Sequence, residues 1–305
     1  MTPAAQRIGI VGLGNMGARI ARRIRDGGFA ISGFDTDAEA ATRAGVDAED
    51  SLAALAGHTD VLFLSLPDSS VIEQVVYGEG GLASAVRAGQ IVIDLSTADP
   101  ASSVRIHADL AANGTEFVDA GISGGAAAAE KGTLAIMAGG AADALAAVEA
   151  VLATFAANVY YMGGPGSGHT TKLLNNFLNA ISLAATAEAM VAGRAAGLDL
   201  AKLLDVLNHS SGVNFATQNR FPRIIDGDYL EGGLTSELMA KDVRLYLGLL
   251  RQLGVTSFTG PSCLGAFDMA SALGYGNEIS NRVVDAIGDA AGGVRLQDYE
   301  RGGSR

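Results

Sequence analysis

Residues 7–26 leave this 305-residue chain few folds to choose from. Arg7-Ile-Gly-Ile-Val11 is a short apolar run of buried-strand type. Gly12-Leu13-Gly14-Asn15-Met16-Gly17 follows at once and opens into a helical stretch, 18–25. Between a strand and a helix each glycine has a task. Gly12 makes the tight turn, Gly14 lets backbone approach a pyrophosphate, and Gly17 lets the helix pack on the strand. The helix N-terminus offers unpaired N–H groups and partial positive charge to the phosphates. All six residues of the loop are therefore candidate cofactor contacts. A second strand, 30–34, ends at Asp35, about 20 residues beyond the glycines, where a carboxylate accepts from the ribose hydroxyls. Thr36 and Asp37 supply no cation for a 2′-phosphate, and Arg43 falls a turn or two along the next helix. NAD is expected over NADP.

The alternation continues with strands at 60–66, 90–95, 116–120, 132–139 and 158–161, and helices at 69–76, 101–113 and 141–155. Strand–helix alternation with Gly, Pro and Ser at the strand ends predicts an α/β fold. It is a doubly wound, Rossmann-type parallel sheet over 1–163. Ligands of such sheets lie outside the C-terminal strand ends, which brings in Leu66, Pro67, Ser96 and Thr97. After the turn at 163–168 the pattern becomes helical. A helix over 170–196 would run roughly 40 Å. Gly197 stops it, Asp199 caps the next helix at 200–209, and further helices follow at 236–253, 261–273 and 277–291. An all-helical domain is expected over 164–305, joined to the sheet domain by the long helix. Its Ala-rich faces suit packing against a second copy.

Three further stretches carry possible chemistry. In Asp119-Ala-Gly-Ile-Ser-Gly-Gly125, two backbone N–H groups and the Ser123 hydroxyl form a small donor set for a carboxylate. In Gly166–Asn176, Lys172 and Asn176 lie four residues apart and share a helix face. Lys241 precedes Asp242 midway along a helix. Each has a plain alternative: a flexible connection, a solvated lysine beside a capping amide, and a solvated lysine with a local carboxylate. Composition narrows the field. A net charge of −12 argues against a nucleic-acid surface. The single Cys263 excludes an internal disulfide and fits a reducing, cytoplasmic setting. His58, His107, His169 and His209 lack ligand spacing, so no metal site is read. No apolar run approaches the ~18 residues of a membrane span. The opening residues 1–7 lack a signal peptide's apolar core, and the tail 302–305 is expected to be disordered.

Taken together, the loop at 12–17, Asp119–Gly125 with its Ser-Gly-Gly core, Gly166–Asn176 and Lys241-Asp242 resemble the β-hydroxyacid dehydrogenase family. That group includes 3-hydroxyisobutyrate dehydrogenase and tartronate semialdehyde reductase. The motifs span nearly the whole chain in the family's order, and Leu66-Pro67 and Ser96-Thr97 match its nicotinamide-side contacts. The resemblance implies that Lys172 is the general acid/base and that Asn176 holds the same substrate. It further implies that Ser123, Gly124 and Gly125 grip a carboxylate, and that Lys241 reaches the cofactor or substrate. One departure is visible: Gly121 stands where the family usually has Pro before the Ser-Gly-Gly loop, which makes that loop less preset.

Physical chemistry agrees with these roles. Oxidising an alcohol needs a base for the hydroxyl proton while hydride leaves the same carbon. A lysine serves if burial and nearby positive charge lower its pKa from about 10.4. The expected partner is a small hydroxy acid or its semialdehyde, with no nucleic acid or membrane, in a homodimer or homotetramer. Two other readings remain: an imine reductase of the same architecture, which usually has another residue in place of Lys172, and a non-catalytic nucleotide-binding regulatory protein.

Overall fold

In the computed structural model, which describes residues 6–297, the chain divides into two compact units at Lys172/Leu173. The tail at 302–305 lies outside the described residues. The first unit is built on eight strands: β1 (Arg7–Val11), β2 (Ala30–Phe34), β3 (Asp47–Ala48), β4 (Val61–Leu64), β5 (Ile91–Asp94), β6 (Glu116–Ser123), β7 (Leu134–Gly139) and β8 (Ala156–Gly163). Their order is β3-β2-β1-β4-β5-β6-β7-β8. The chain leaves β1 in one direction and returns to β4 on its other side, so β1 and β4 form the topological switch point. Every pairing is parallel except β6 with β7. The link 124–133 is shorter than the dozen or so residues a parallel crossover takes, so β7 returns antiparallel.

The helices of this unit are α1 (Gly17–Asp26), α2 (Ala40–Ala44), α3 (Leu52–His58), α4 (Ser69–Tyr77), α5 (Leu82–Ala85), α6 (Pro100–Ala111), α7 (Gly125–Lys131), α8 (Ala142–Ala147) and α9 (Glu149–Leu152). Two departures from the sequence reading matter. The helix expected over 141–155 breaks at Val148 into α8 and α9, and β6 runs on to Ser123 instead of ending at Ala120. The central strands β1, β4 and β5 bury both faces, as covered parallel strands do. Ile8, Ile10, Val61, Phe63 and Ile93 face one core; Val11, Leu62, Leu64 and Val92 face the other. Phe63 meets Phe155 edge-on, ring centroids 5.8 Å apart.

The long helix α10 (Ser167–Ala195) contains the division between the units. The second unit continues with α11 (Leu200–Asn208), α12 (Phe215–Asn219), α13 (Phe221–Ile224), α14 (Ser236–Gln252), α15 (Gly260–Ala270) and α16 (Val283–Ala290). Asp199 caps α11 by accepting the Lys202 N–H at 3.1 Å. Its core gathers Leu183, Met190, Phe221, Met239 and Phe267, and Phe177 stacks on Tyr246 with centroids 4.0 Å apart. The helix expected over 261–273 ends at Ala270 and passes into a π-helical turn, Ser271–Tyr275, which Gly274 breaks with φ of 96°.

Candidate active site

The glycine loop at the end of β1 has the shape its sequence demands. A Cβ on Gly12 would run into the Ser65 carbonyl, and one on Gly17 into the Gly12 carbonyl. Gly14 is exposed and would meet nothing within 4 Å, so space lies open above the turn. Helix α1 begins there with no side-chain cap and no acidic residue in its first turn. By contrast α3, α4 and α6 are capped by Ser51, Asp68 and Asp99. The orphan N–H groups of α1 are thus left for an anion, which fits a dinucleotide's pyrophosphate. Leu13 is buried, Met16 half-buried and Asn15 exposed.

Asp35, half-buried at the end of β2, accepts the Leu13 N–H at 2.6 Å and the Asp37 N–H at 2.9 Å. The carboxylate is therefore fastened to the glycine loop. Arg43 is engaged by Asp37 and lies 3.8 Å from Glu39. Its guanidinium holds the Asp37 carboxyl below the usual range. Arg43 is thus paired at the surface with Asp37, beside the end of β2. At the next strand ends, Ser96 is buried and its hydroxyl accepts the Leu66 N–H at 3.0 Å. That bond joins the β4 and β5 turns, with Pro67 exposed and Thr97 half-buried beside them.

Strand β6 and the start of α10 form the second part of the site. Asp119, Gly121 and Ser123 alternate onto one face of β6. Asp119 accepts the N–H groups of Gly166 and His169, both at 2.8 Å, and so caps the beginning of α10. Burial pushes its carboxyl above the usual range, opposed by His169 and those two donors. Two residues on, a Cβ at Gly121 would lie 2.5 Å from Lys172 Cβ and 2.8 Å from its Cγ. The lysine stem rests directly on the strand, and Lys172 is only 8% exposed. Gly121 thus lies inside a regular strand, paired with Met137, and the expectation that it loosens the following loop is corrected. The loop itself turns at Gly124 and Gly125, with φ of 125° and 69°. Ser123 is half-buried and both glycines are exposed.

In the helical unit, Asn176 is 5% exposed and its Nδ2 donates to Asp242 Oδ2 at 2.6 Å. Asp242 is buried, and Lys241 Nζ lies 3.1 Å from its other oxygen without hydrogen-bond alignment. One carboxylate therefore gathers both predicted residues of this unit and fixes the orientation of the Asn176 amide. The sequence reading treated Asp242 only as a companion of Lys241. The adjacency was visible, but not the contact with a residue 66 positions earlier. Asn214 caps α12 in a capping box with Thr217, and Asn208 donates to the Thr217 carbonyl at 3.1 Å. The Asn214 amide is thus engaged in local structure, as is the Nδ2 of Asn208, whose Oδ1 is buried without a hydrogen-bond partner. Among the described residues no helix is long and apolar enough to cross a membrane, and no group of three His, Cys, Asp or Glu is placed to hold a metal.

Comparison with known proteins matches residues 7–163 to the NAD binding domain of 6-phosphogluconate dehydrogenase. Residues 166–287 match the NAD-binding domain of NADP-dependent 3-hydroxyisobutyrate dehydrogenase. The chain is 31% identical to 2-(hydroxymethyl)glutarate dehydrogenase of Eubacterium barkeri, over 91% of this chain and 93% of that protein. It is 36% identical to human mitochondrial 3-hydroxyisobutyrate dehydrogenase, over 88% and 82%. The solved 3-hydroxyisobutyrate dehydrogenase of Salmonella typhimurium superposes with a TM-score of 0.80 at 32% identity, covering 92% of this chain and 99% of that one. An imine reductase from Pseudomonas is more distant and shares the fold at 20% identity, TM-score 0.60. With the dinucleotide loop formed and these matches spanning both units, the chain belongs to the β-hydroxyacid dehydrogenase family.

Proposed function

We propose that the chain oxidises the hydroxyl of a small β-hydroxy acid, or reduces the matching semialdehyde, with Lys172 as general acid/base and NAD preferred to NADP. The observation that carries this reading is the seat of Lys172 on β6. Its buried stem lies on Gly121, two residues from Ser123 on the same face, a strand distance of roughly 7 Å. A carboxylate at Ser123, Gly124 and Gly125 would then hold a hydroxyl one or two carbons away within reach of the ammonium. The two relatives named above act on 2-(hydroxymethyl)glutarate and 3-hydroxyisobutyrate. Both acids carry a hydroxymethyl group on the carbon next to the carboxylate, and this is the substrate class proposed here.

The nicotinamide, when bound, supplies the hydride acceptor. The chain's part is to take the proton. As the carbinol C–H bond breaks and hydride leaves, the O–H proton passes to Lys172 and the carbon–oxygen double bond forms. In the reverse direction the ammonium donates to the carbonyl oxygen. Asn176, four residues further along the same helix, is proposed to hold the reacting oxygen, its amide steadied by Asp242. Lys241 is proposed as a further contact to cofactor or substrate. Gly12, Leu13, Gly14, Asn15, Met16, Gly17, Asp35, Leu66, Pro67, Ser96 and Thr97 are proposed to receive the cofactor. A cytoplasmic homodimer or homotetramer is the proposed working form.

The test follows NADH formation with 3-hydroxyisobutyrate, 2-(hydroxymethyl)glutarate, L-serine, D-glycerate, L-threonate and 4-hydroxybutyrate, each with NAD⁺ and with NADP⁺. An NAD⁺-linked signal with one acid is expected. Lys172→Ala should lower that rate by about 10²–10⁴-fold while NADH binding stays near normal. Loss of NADH binding in the variant would make the lysine structural, and silence with every acid would remove the proposed reaction.

A further inference from the structure

A buried arrangement next to the Lys172 seat plays no part in the chemistry proposed above. Asp94, which closes β5, stands in register with Asp119 on β6, so two fully buried carboxylates lie side by side. Asp119 is satisfied by its two N–H donors. Asp94 is half satisfied: Oδ1 accepts the Ser96 N–H at 3.0 Å, and Oδ2 has no hydrogen-bond partner. Facing Oδ2 at 3.9 Å is Nε2 of His169, fully buried and likewise without a hydrogen bond. The other ring nitrogen, Nδ1, lies 2.7 Å from Ser103 Oγ on α6. The hydroxyl's alternative acceptor, the Asp99 carbonyl, is 3.4 Å away. The shorter contact makes Ser103 the donor to Nδ1, which leaves the ring proton on Nε2, aimed at Asp94. Orphaned polar atoms inside a protein are costly, and here each supplies what the other lacks.

We infer that His169 is a positioning residue: through Asp94 it ties the first turn of α10, one turn before Lys172, to the β5 turn that carries Ser96 and Thr97. The tie runs further, because Ser96 accepts the Leu66 N–H and so brings in the end of β4. This rests on the reading of Lys172 as acid/base and of these turns as the cofactor side. Under that reading, this buried pairing sets where the lysine stands relative to the cofactor-side backbone, the distance that coupled proton and hydride transfer depends on.

The test compares His169→Gln, which keeps an N–H donor near the position of Nε2, with His169→Leu, which keeps bulk alone. Both are assayed as the full chain on the acid that the wild type oxidises best, and NADH binding is followed separately by fluorescence. His169→Leu should lose about 10²-fold in kcat with the acid KM nearly unchanged, and should bind NADH more weakly. His169→Gln should recover most of both losses. Asp94→Asn gives the same comparison from the other end, losing activity alone and nothing more when combined with His169→Leu. Equal losses in the Gln and Leu variants would reduce His169 to a packing residue, and full activity in His169→Leu would remove the tie. If the wild type oxidises none of the acids, the proposed reaction fails, and the NADH titration alone decides. Equal affinities of wild type and His169→Leu then overturn the tie, whereas weakening in Leu with recovery in Gln upholds it.

Discussion

The glycine loop after β1 and the Asn176–Asp242–Lys241 cluster of the helical unit are ordered in opposite ways. The loop is shaped by what is missing. Two of its glycines have carbonyl oxygens where a Cβ would sit, and the third opens onto free space. The cluster is shaped by a side chain that is present, one buried carboxylate gathering an amide from α10 and an ammonium from its own helix. Backbone sterics act between residues close in sequence, so the loop can be deduced from spacing. A buried carboxylate recruits partners through the tertiary fold, and spacing is silent about them. The two modes should also fail differently when altered.

The largest effect is expected at the cluster. Asp242→Ala would leave the Asn176 Nδ2 without its acceptor and remove the carboxylate that lies 3.1 Å from the Lys241 ammonium. Losing a hydrogen bond to a buried charged group costs about 1.5–3 kcal/mol, and the freed amide should also weaken turnover. Urea unfolding and steady-state kinetics together measure this. If Asp242→Ala lowers stability and leaves kcat/KM intact, the cluster is a packing device and Asn176 needs another explanation.

The glycine loop should separate folding from binding within six residues. Gly17→Ala places a methyl against the Gly12 carbonyl and should cost roughly 1–3 kcal/mol of stability, as overpacking does. Gly14→Ala meets nothing in the protein, so its stability should stay within about 0.5 kcal/mol of the wild type. Its NADH affinity should fall, because the added methyl occupies the approach to the α1 N-terminus. Equal NADH affinity in Gly14→Ala and the wild type would break the pyrophosphate reading of that space.

The same contrast explains how much of the molecule could be read in advance. The sheet, its C-terminal ends and the long helix follow from apolar runs broken by Gly, Pro and Ser, which are local signals. The antiparallel β7 did not, since Leu134–Gly139 looks the same in either direction and only the shortness of the link 124–133 decides it. The break at Val148 was hidden because the alanines around it favour continuous helix. At the site, Lys172, Asn176 and Ser123 were legible as residue types at fixed spacing. Asp119, Asp94 and His169 were not, because their meaning lies in contacts between residues 47 to 75 positions apart and in a strand register.

Gly121 lies between the two modes and gives the smallest but sharpest test. It is a glycine whose missing side chain admits the proposed acid/base: its virtual Cβ falls 2.5 Å from Lys172 Cβ, near the root of that side chain and not its flexible end. Rotating the lysine about its outer bonds cannot relieve such a clash, so Gly121→Ala must move α10 or β6 by a few tenths of an ångström. Stability should fall by about 1 kcal/mol, and kcat by roughly tenfold, since a small misplacement of the acid group costs rate more than binding. KM for the acid and NADH affinity should barely change, as Ser123–Gly125 and the loop after β1 are untouched. A variant with full kcat would mean that the lysine need not rest on β6 to work, and the observation that carries the proposed function would lose its force.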